Sequence, residues 1–144
     1  LARIVYGLDP YETGEIKVRG KEIHKITPKK AIRNKIAFVT ENRREEGLIL
    51  EFTNMDNLSL VLNLEKAKSK LKMVNNSSVK AETQGMVDTL KIKCPPIEKN
   101  PAKSMSGGNQ QKIVFAKWIW ADFKCVIFDE PTRGVDVGEK VEIY

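Results

Sequence analysis

The stretch CVIFDEP (residues 125–131) carries the sharpest local signal in the sequence. Its four leading apolar residues are typical of a central strand in a parallel sheet that is covered on both sides. Asp129 and Glu130 follow at once, and Pro131 prevents the strand from continuing because it has no amide hydrogen to donate. Open α/β sheets bind ligands at the carboxyl ends of their strands. The stretch therefore predicts an α/β fold with two carboxylates placed where a ligand binds.

Two interpretations of this acidic pair stay open on the residues alone. In the first, Asp129 holds a magnesium ion, directly or through water, and Glu130 orients and deprotonates an attacking water molecule. In the second, the two side chains only cap the strand at the protein surface. A second motif is needed to decide between them.

That motif is SGGNQQK (residues 106–112), which precedes a predicted helix with apolar residues on nearly every face, so that we expect the helix to be buried. Ser106 can cap the helix, and the two glycines allow backbone N–H groups to approach an anion at its positive end. A plain N-cap needs only the serine, and that simpler interpretation stays open, although paired glycines cost conformational entropy. The interval from Ser106 to Asp129 accommodates a helix of about four turns, a tight link and a strand.

Taken together, SGGNQQK and VIFDEPTRGVD (residues 126–136) resemble an ABC-transporter ATP-binding cassette. Asp129 matches the Walker B aspartate, Glu130 matches the catalytic glutamate, and Asp136 ends the D-loop. Met105 stands where the family usually has leucine. Five residues match the family's signature loop: Ser106, Gly107, Gly108, Asn109 and Gln110.

The segment FVTENRREEGLIL (residues 38–50) falls where the family places its Q-loop, and Glu41 occupies the glutamine position. This departure, with SGGNQQK and PTRGVDVG, is typical of the second cassette in the fused two-cassette ATPases of sugar importers of the ribose, galactose and xylose type. The resemblance spans nearly the whole chain.

The resemblance implies that the parent protein hydrolyses ATP with Mg²⁺ and powers import of a sugar or a related small solute. Asp129 then supports magnesium through water, Glu130 polarises the attacking water, and Glu41 senses the metal. The signature residues clamp the γ-phosphate of ATP held by the opposing cassette. Further implied partners are membrane permease subunits, contacted through the Q-loop and a helical subdomain, and indirectly a periplasmic or extracellular solute-binding protein. The implied location is peripheral, on the cytoplasmic face of the cell membrane.

No P-loop of the form G-x-x-x-x-G-K-[ST] occurs in the sequence. Neither residues 14–21 nor residues 134–140 have the required spacing of two glycines and a lysine. The family places its P-loop just before the helix that ends here in LARIVYG, and its switch histidine some thirty residues beyond the catalytic glutamate. We therefore expect this chain to be a fragment without Walker A and without the switch histidine, and inactive on its own. A non-catalytic interaction or coupling module is the alternative.

The order of predicted elements indicates a partial α/β ATPase core with a helical signature subdomain inserted into it. We place the core at residues 1–50 and 112–144, and the helical subdomain at residues 51–111. Local signals support this order. They are a helix stopped by Gly7, a hairpin in TGEIKVRGKEI, a helix after Thr27-Pro28, a strand at residues 35–40, a capping box at Thr53 and Asp56, and helical spacing in SVKAETQGMVDTLKI.

The net charge and the distribution of basic residues limit the classes of partner that we expect. The net charge is +6, but the 25 basic residues are scattered, and the densest runs, at 28–35 and 65–72, carry no aromatic residue for base stacking. A solvated surface is therefore favoured and no nucleic-acid partner is expected. An ATPase of the same superfamily that acts on DNA or ribosomes stays as an alternative. No apolar run approaches the length of about 18 residues that a membrane span needs.

The two cysteines, Cys94 and Cys125, show no metal-ligand spacing, and this usage fits a reducing cytoplasm. Because Cys125 opens an apolar run, we expect its thiol to be buried. His24, the only histidine, lies in a polar stretch and is expected at the surface.

Overall fold

The computed structural model describes residues 1–66 and 76–135. The predicted D-loop residue Asp136 and most of the basic run at 65–72 lie outside the described residues. The elements follow the predicted order. They are α1 (Ala2–Tyr6), β1 (Lys17–Val18), β2 (Lys21–Glu22), α2 (Pro28–Arg33), β3 (Ile36–Val39), a π-helical turn (Arg43–Gly47), α3 (Asn54–Lys66), α4 (Asn76–Thr89), a 3-10 turn (Ala102–Ser104), α5 (Gly107–Ile119) and β4 (Cys125–Phe128).

Two small sheets are present in the described part of the chain. Strands β1 and β2 pair antiparallel, which confirms the predicted hairpin. Strands β3 and β4 pair in parallel, with Ile36 opposite Cys125 and Val39 opposite Phe128. The backbone N–H of Asp129 extends this ladder by donating to the Val39 carbonyl at 2.9 Å. Both strands therefore end at the same edge of the sheet.

The two parallel strands differ in burial, and the prediction for β4 was wrong. All four residues of β3 are buried, whereas β4 is exposed at both ends, with 52% of Phe128 exposed. Cys125 is exposed rather than buried because it opens the strand beside the exposed Lys124. Within the described residues β4 pairs with β3 alone. The apolar sequence of β4 therefore does not mean that the strand is covered on both sides.

The predicted helix ends are confirmed by their hydrogen bonds. Gly7 ends α1 with a left-handed backbone at φ 86°, where an added Cβ would lie 2.6 Å from the Thr27 Cα. Thr27 Oγ1 accepts from the Lys30 N–H at 3.3 Å at the start of α2. Thr53 Oγ1 accepts from the Asp56 N–H at 3.1 Å at the start of α3, and the Thr53 hydroxyl donates to the Asp56 carboxylate at 2.6 Å, so the predicted pair caps the helix through a bond between side chains.

Helix α5 is the centre of the core, as its apolar residues predicted. It contacts α3, β3 and the π-helical turn, and most of its residues are buried. Trp118 packs edge-on against Tyr6 and Phe123, at 6.4 and 5.2 Å between ring centroids, and Tyr6 stacks on Phe38 at 5.2 Å. The core thus joins α1, β3 and α5.

The helices α3 and α4 lie in sequence between β3 and α5, and α3 contacts both α4 and α5. A buried amide fixes the entry to α3, because Asn57 bonds the backbone N–H and carbonyl of Ile49 and the carbonyls of Phe52 and Thr53. The boundaries of the helical subdomain at residues 51 and 111 stay a prediction. In the described part of the chain, none of the helices combines the length and apolar character that a membrane crossing requires.

Candidate functional site

The predicted acidic residues follow the carboxyl ends of the two parallel strands. Residues 40 and 41 follow β3, and Asp129 and Glu130 follow β4 in register. The half-buried Glu41 carboxylate forms an ion pair with Arg133, which follows Glu130 by three residues. A cleft of about 490 Å³ opens here and is lined in part by Glu41, Arg133 and Gly134. The cleft therefore lies beside the loop that follows β4, although the side chains of Asp129 and Glu130 do not line it.

Residues 129–135, here called the acidic loop, turn sharply after β4. Glu130 has a left-handed backbone with φ 41°, a conformation that costs a residue with a side chain about 1–2 kcal/mol. The Arg133 N–H donates to the Glu130 carbonyl at 3.0 Å, and the Val135 N–H donates to the Thr132 carbonyl at 3.2 Å. Val135 is buried and anchors the end of the loop, whereas the Glu130 side chain is exposed to solvent.

Residues 106–110, here called the signature turn, form the start of α5. The exposed Ser106 is the N-cap, and its Oγ accepts from the Asn109 N–H at 3.4 Å and from the Asn109 side-chain amide at 2.9 Å. The turn also places the N-terminal end of the helix dipole beside Ser106, where an anion is favoured. The predicted N-cap is thus confirmed, and the proposed phosphate contact stays a prediction.

Two of the five matched signature residues serve the fold in this structure. The Asn109 Oδ1 accepts from the Lys93 N–H at 2.8 Å, which ties the turn to the segment after α4. Gln110 is only 1% exposed, and its amide donates to the Ala102 carbonyl at 3.0 Å. Ser106 is exposed and is therefore the signature residue best placed to contact a ligand, whereas Gly107 is half-buried and Gly108 is buried.

Sequence reasoning missed Arg43, which lies in the charged stretch ENRREEG (residues 41–47). The side chain is buried, and its guanidinium donates to the carbonyls of Arg133 and Gly134 at 2.8 and 3.0 Å. A Cβ added at Gly107 would lie 2.8 Å from Arg43 Nη2. Arg43 thus lies between the acidic loop and the signature turn. The paired glycines of the signature were the available sequence signal, because a plain N-cap needs only the serine and glycine also permits close packing of another group.

The donor chemistry at the strand ends suits magnesium. Mg²⁺ prefers oxygen ligands and usually takes one or two carboxylates together with substrate phosphates and water. Asp129 and Glu41 offer such carboxylates at one edge of the sheet, with the Glu41 group engaged by Arg133. Across residues 1–66 and 76–135, no three acidic, histidine or cysteine side chains converge as a metal site by themselves. The arrangement fits an ion that reaches the site together with phosphate oxygens.

Comparison with known sequences decides the family. Residues 1–133 match the family model described as ABC transporter. The chain belongs to the ABC transporter family. The resemblance carried by SGGNQQK and VIFDEPTRGVD is thereby confirmed.

Relatives within the ABC transporter family match the whole chain. It is 44% identical over 144 residues to the ribose import ATP-binding protein RbsA of Bacillus cereus, and covers 28% of that protein. It is 43% identical over 144 residues to the putative ribose/galactose/methyl galactoside import ATP-binding protein 1 of Rhizobium etli, and covers 27% of it. The chain thus spans little more than a quarter of the length of the curated relatives it matches.

Solved structures of ABC cassettes confirm the α/β fold. A dimeric ATP-binding cassette in a post-hydrolysis state, bound to ADP and Pi, matches 99% of this chain and 59% of its own, with a TM-score of 0.75 and 17% identity. A nucleotide-free cassette from an ABC transporter matches 99% of this chain and 56% of its own, with a TM-score of 0.74 and 17% identity. At such low identity the likeness establishes the fold alone.

Proposed function

We propose that this chain is part of an ATP-hydrolysing ABC cassette that powers import of a sugar. The single observation that carries the proposal is the parallel register of β3 and β4, which brings Glu41 and the acidic pair to one edge. The names of the relatives, which include ribose import ATP-binding proteins, support a sugar as the solute class.

In this proposal each residue of the site has a defined task. Asp129 would hold Mg²⁺ through water with Glu41 beside it, and Glu130 would accept the proton of the attacking water. A bound magnesium ion would supply positive charge to offset that of the phosphates. The exposure of Glu130 in a strained turn supports this role, because strained backbone is commonly retained at functional sites.

The signature turn is proposed to act on a second molecule. Ser106, Gly107 and Gly108 donate to the γ-phosphate of ATP held by the opposing cassette, and Asn109 and Gln110 hold the turn in shape. The related cassette solved as a dimer with ADP and Pi supports such pairing. Residues 51–111 would form the helical subdomain that, with the Q-loop segment, contacts membrane permease subunits. A solute-binding protein would act through those subunits, and the cassette would lie at the cytoplasmic face of the membrane.

Substitution of Glu130 tests the proposal. In the intact protein that contains this chain, Glu130→Gln should lower ATP hydrolysis at least about a hundredfold, because the amide cannot accept the proton. ATP binding, measured by equilibrium titration, should be retained. Glu12→Gln, which changes an exposed carboxylate before β1, is the matched control and should hydrolyse ATP normally. Near-normal hydrolysis by Glu130→Gln would contradict the proposed role.

We further propose that these 144 residues alone do not hydrolyse ATP, because they contain no P-loop motif. A P-loop supplies the backbone cradle and the lysine that hold the phosphates. Calorimetric titration of the chain with Mg-ATP should show no binding tighter than roughly millimolar, equivalent to about −4 kcal/mol. Micromolar affinity would refute this part of the proposal.

A further inference from the structure

A buried guanidinium lies between the two turns to which the proposed function assigns chemistry. Arg43 begins the π-helical turn after β3 and is 8% exposed. A buried charge is costly unless its hydrogen bonds are satisfied. Here Nη1 donates to the Arg133 carbonyl at 2.8 Å and Nη2 donates to the Gly134 carbonyl at 3.0 Å. The planar guanidinium fork of an arginine can donate to two consecutive carbonyls at once. A lysine ammonium is a single point of charge and does not have this fixed pair of donors.

The same guanidinium packs against the first helical residue of α5. A Cβ at Gly107 would lie 2.8 Å from Arg43 Nη2 and 3.3 Å from the Gly134 carbonyl oxygen. Real Cβ atoms essentially never lie this close to another heavy atom, so a side chain at residue 107 would force the Arg43 guanidinium to shift from the position in which it makes both hydrogen bonds. The signature turn, Arg43 and the acidic loop therefore form one three-way contact.

The turn that carries Arg43 is itself fixed at its far end. Glu46 accepts from Thr40 Oγ1 at 2.7 Å and from Arg3 Nη1 at 2.8 Å. The Gly47 carbonyl accepts from the buried Lys117 on α5. Helix α1, strand β3 and helix α5 thus hold the turn in place. Arg43 projects from a rigid support, which is what a group that sets the position of others requires.

We infer that Arg43 is a positioning residue that sets the signature turn against the acidic loop. The inference rests on the proposed function, in which these two segments bind a phosphate and activate water. Glu41, proposed to face the metal, precedes Arg43 by two residues and pairs with Arg133 of the same loop. The acidic loop is therefore held at two points, by the Glu41 ion pair and by the Arg43 hydrogen bonds.

Kinetics of a conservative variant test the inference in the intact protein. Arg43→Lys keeps the charge but loses the fork, and kcat for ATP hydrolysis should fall about tenfold while KM changes less than about threefold. Arg33→Lys makes the same change on the exposed last turn of α2 and should match the wild type. If Glu130→Gln abolishes hydrolysis and Arg43→Lys leaves kcat unchanged, the inference fails. If Glu130→Gln hydrolyses normally, the proposed function fails instead.

A double-mutant cycle tests the contact itself. Gly107→Ala should also lower kcat about tenfold, since its Cβ displaces the guanidinium from Gly134. Because both changes break one contact, Arg43→Lys combined with Gly107→Ala should cost closer to tenfold than to the hundredfold of independent changes. A hundredfold loss would overturn the inference. If Arg43→Lys does not fold, the carbonyl signals of Arg133 and Gly134 in Gly107→Ala, measured as described next, test the same contact from the other side.

NMR spectroscopy tests the same contact without any measurement of ATP hydrolysis. With ¹³C labels in the arginine and glycine carbonyls and ¹⁵N in the glycine amides, Arg43→Lys should shift the signals of Arg133, Gly134 and Gly107. Gly107→Ala should shift the first two in the same way. Unchanged signals in both variants would show that no such contact exists in solution, whatever the protein hydrolyses.

Discussion

Strands β3 and β4 have nearly the same character in sequence and opposite surroundings in the structure. Each is four apolar residues long, and the two pair residue by residue. Helices α1, α2 and α5 all contact β3, and every residue of β3 is buried. Phe128 of β4 meets the edge of Phe115 and is otherwise half exposed. An apolar strand thus predicts pairing, whereas its burial depends on which elements pack against it.

Truncation of one phenylalanine in each strand should give the largest difference. Phe38→Ala should lower the free energy of unfolding by about 3–4 kcal/mol, because it empties a buried site stacked on Tyr6. Phe128→Ala should cost less than about 1 kcal/mol, since half of that side chain is already in water. Urea denaturation of both variants measures the two losses. Equal losses would show that β4 is as well covered in solution as β3.

The same contrast explains what the sequence could predict of the fold. Element types and ends followed from local chemistry: Gly7 stops α1, Thr27 and Thr53 cap the next helices, and alternating residues form the hairpin. The burial of α5 followed from apolar residues on nearly all its faces. The exposure of Cys125 did not follow, because cover over a strand is supplied by residues distant in sequence.

The candidate site likewise contains a part that the sequence predicted and a part that it did not. The resemblance implied that Glu41, Asp129 and Glu130 serve one metal, and the structure places them after strands that end at one edge. The role of Arg43 was not, since its hydrogen bond to the Arg133 carbonyl joins residues 90 positions apart. Charged residues in a loop predict solvent exposure, and only a three-dimensional contact reveals an exception.

The second prediction tests whether water is excluded from the buried side chains that pack against β3. Lys117 and Tyr6 line a small cavity of about 240 Å³ against Phe38, and burial lowers the pKa of Lys117 to about 8. The unfolded chain therefore binds more protons than the native chain between pH 8 and about 10. The free energy of unfolding should rise over this window by up to about 2 kcal/mol from this group.

A Lys117→Met variant isolates that contribution. Burial also raises the pKa of Tyr6 to about 12, which opposes the trend above pH 10 because the native chain then keeps the proton longer. At each pH, the difference in unfolding free energy between the wild type and the variant removes the contribution of Tyr6, which both proteins share. It leaves the contribution of Lys117. The unfolding free energy of the wild type minus that of the variant should rise by about 2 kcal/mol between pH 8 and about 10. A difference that does not change with pH would mean that water reaches the amine.

The smallest expected effect separates the two thiols. Cys125 opens β4 and is exposed, whereas Cys94 is half-buried, and burial, aided by the charge of Asp88, raises the pKa of its thiol. The thiolate is the reactive form, so a disulfide reagent at pH 8 should modify Cys125 about tenfold faster than Cys94. Cys125→Ser should leave only the slow phase, and Cys94→Ser only the fast one. If Cys125 reacts as slowly as Cys94, the start of β4 is covered in solution, and the contrast between the strands is smaller than their side-chain exposures indicate.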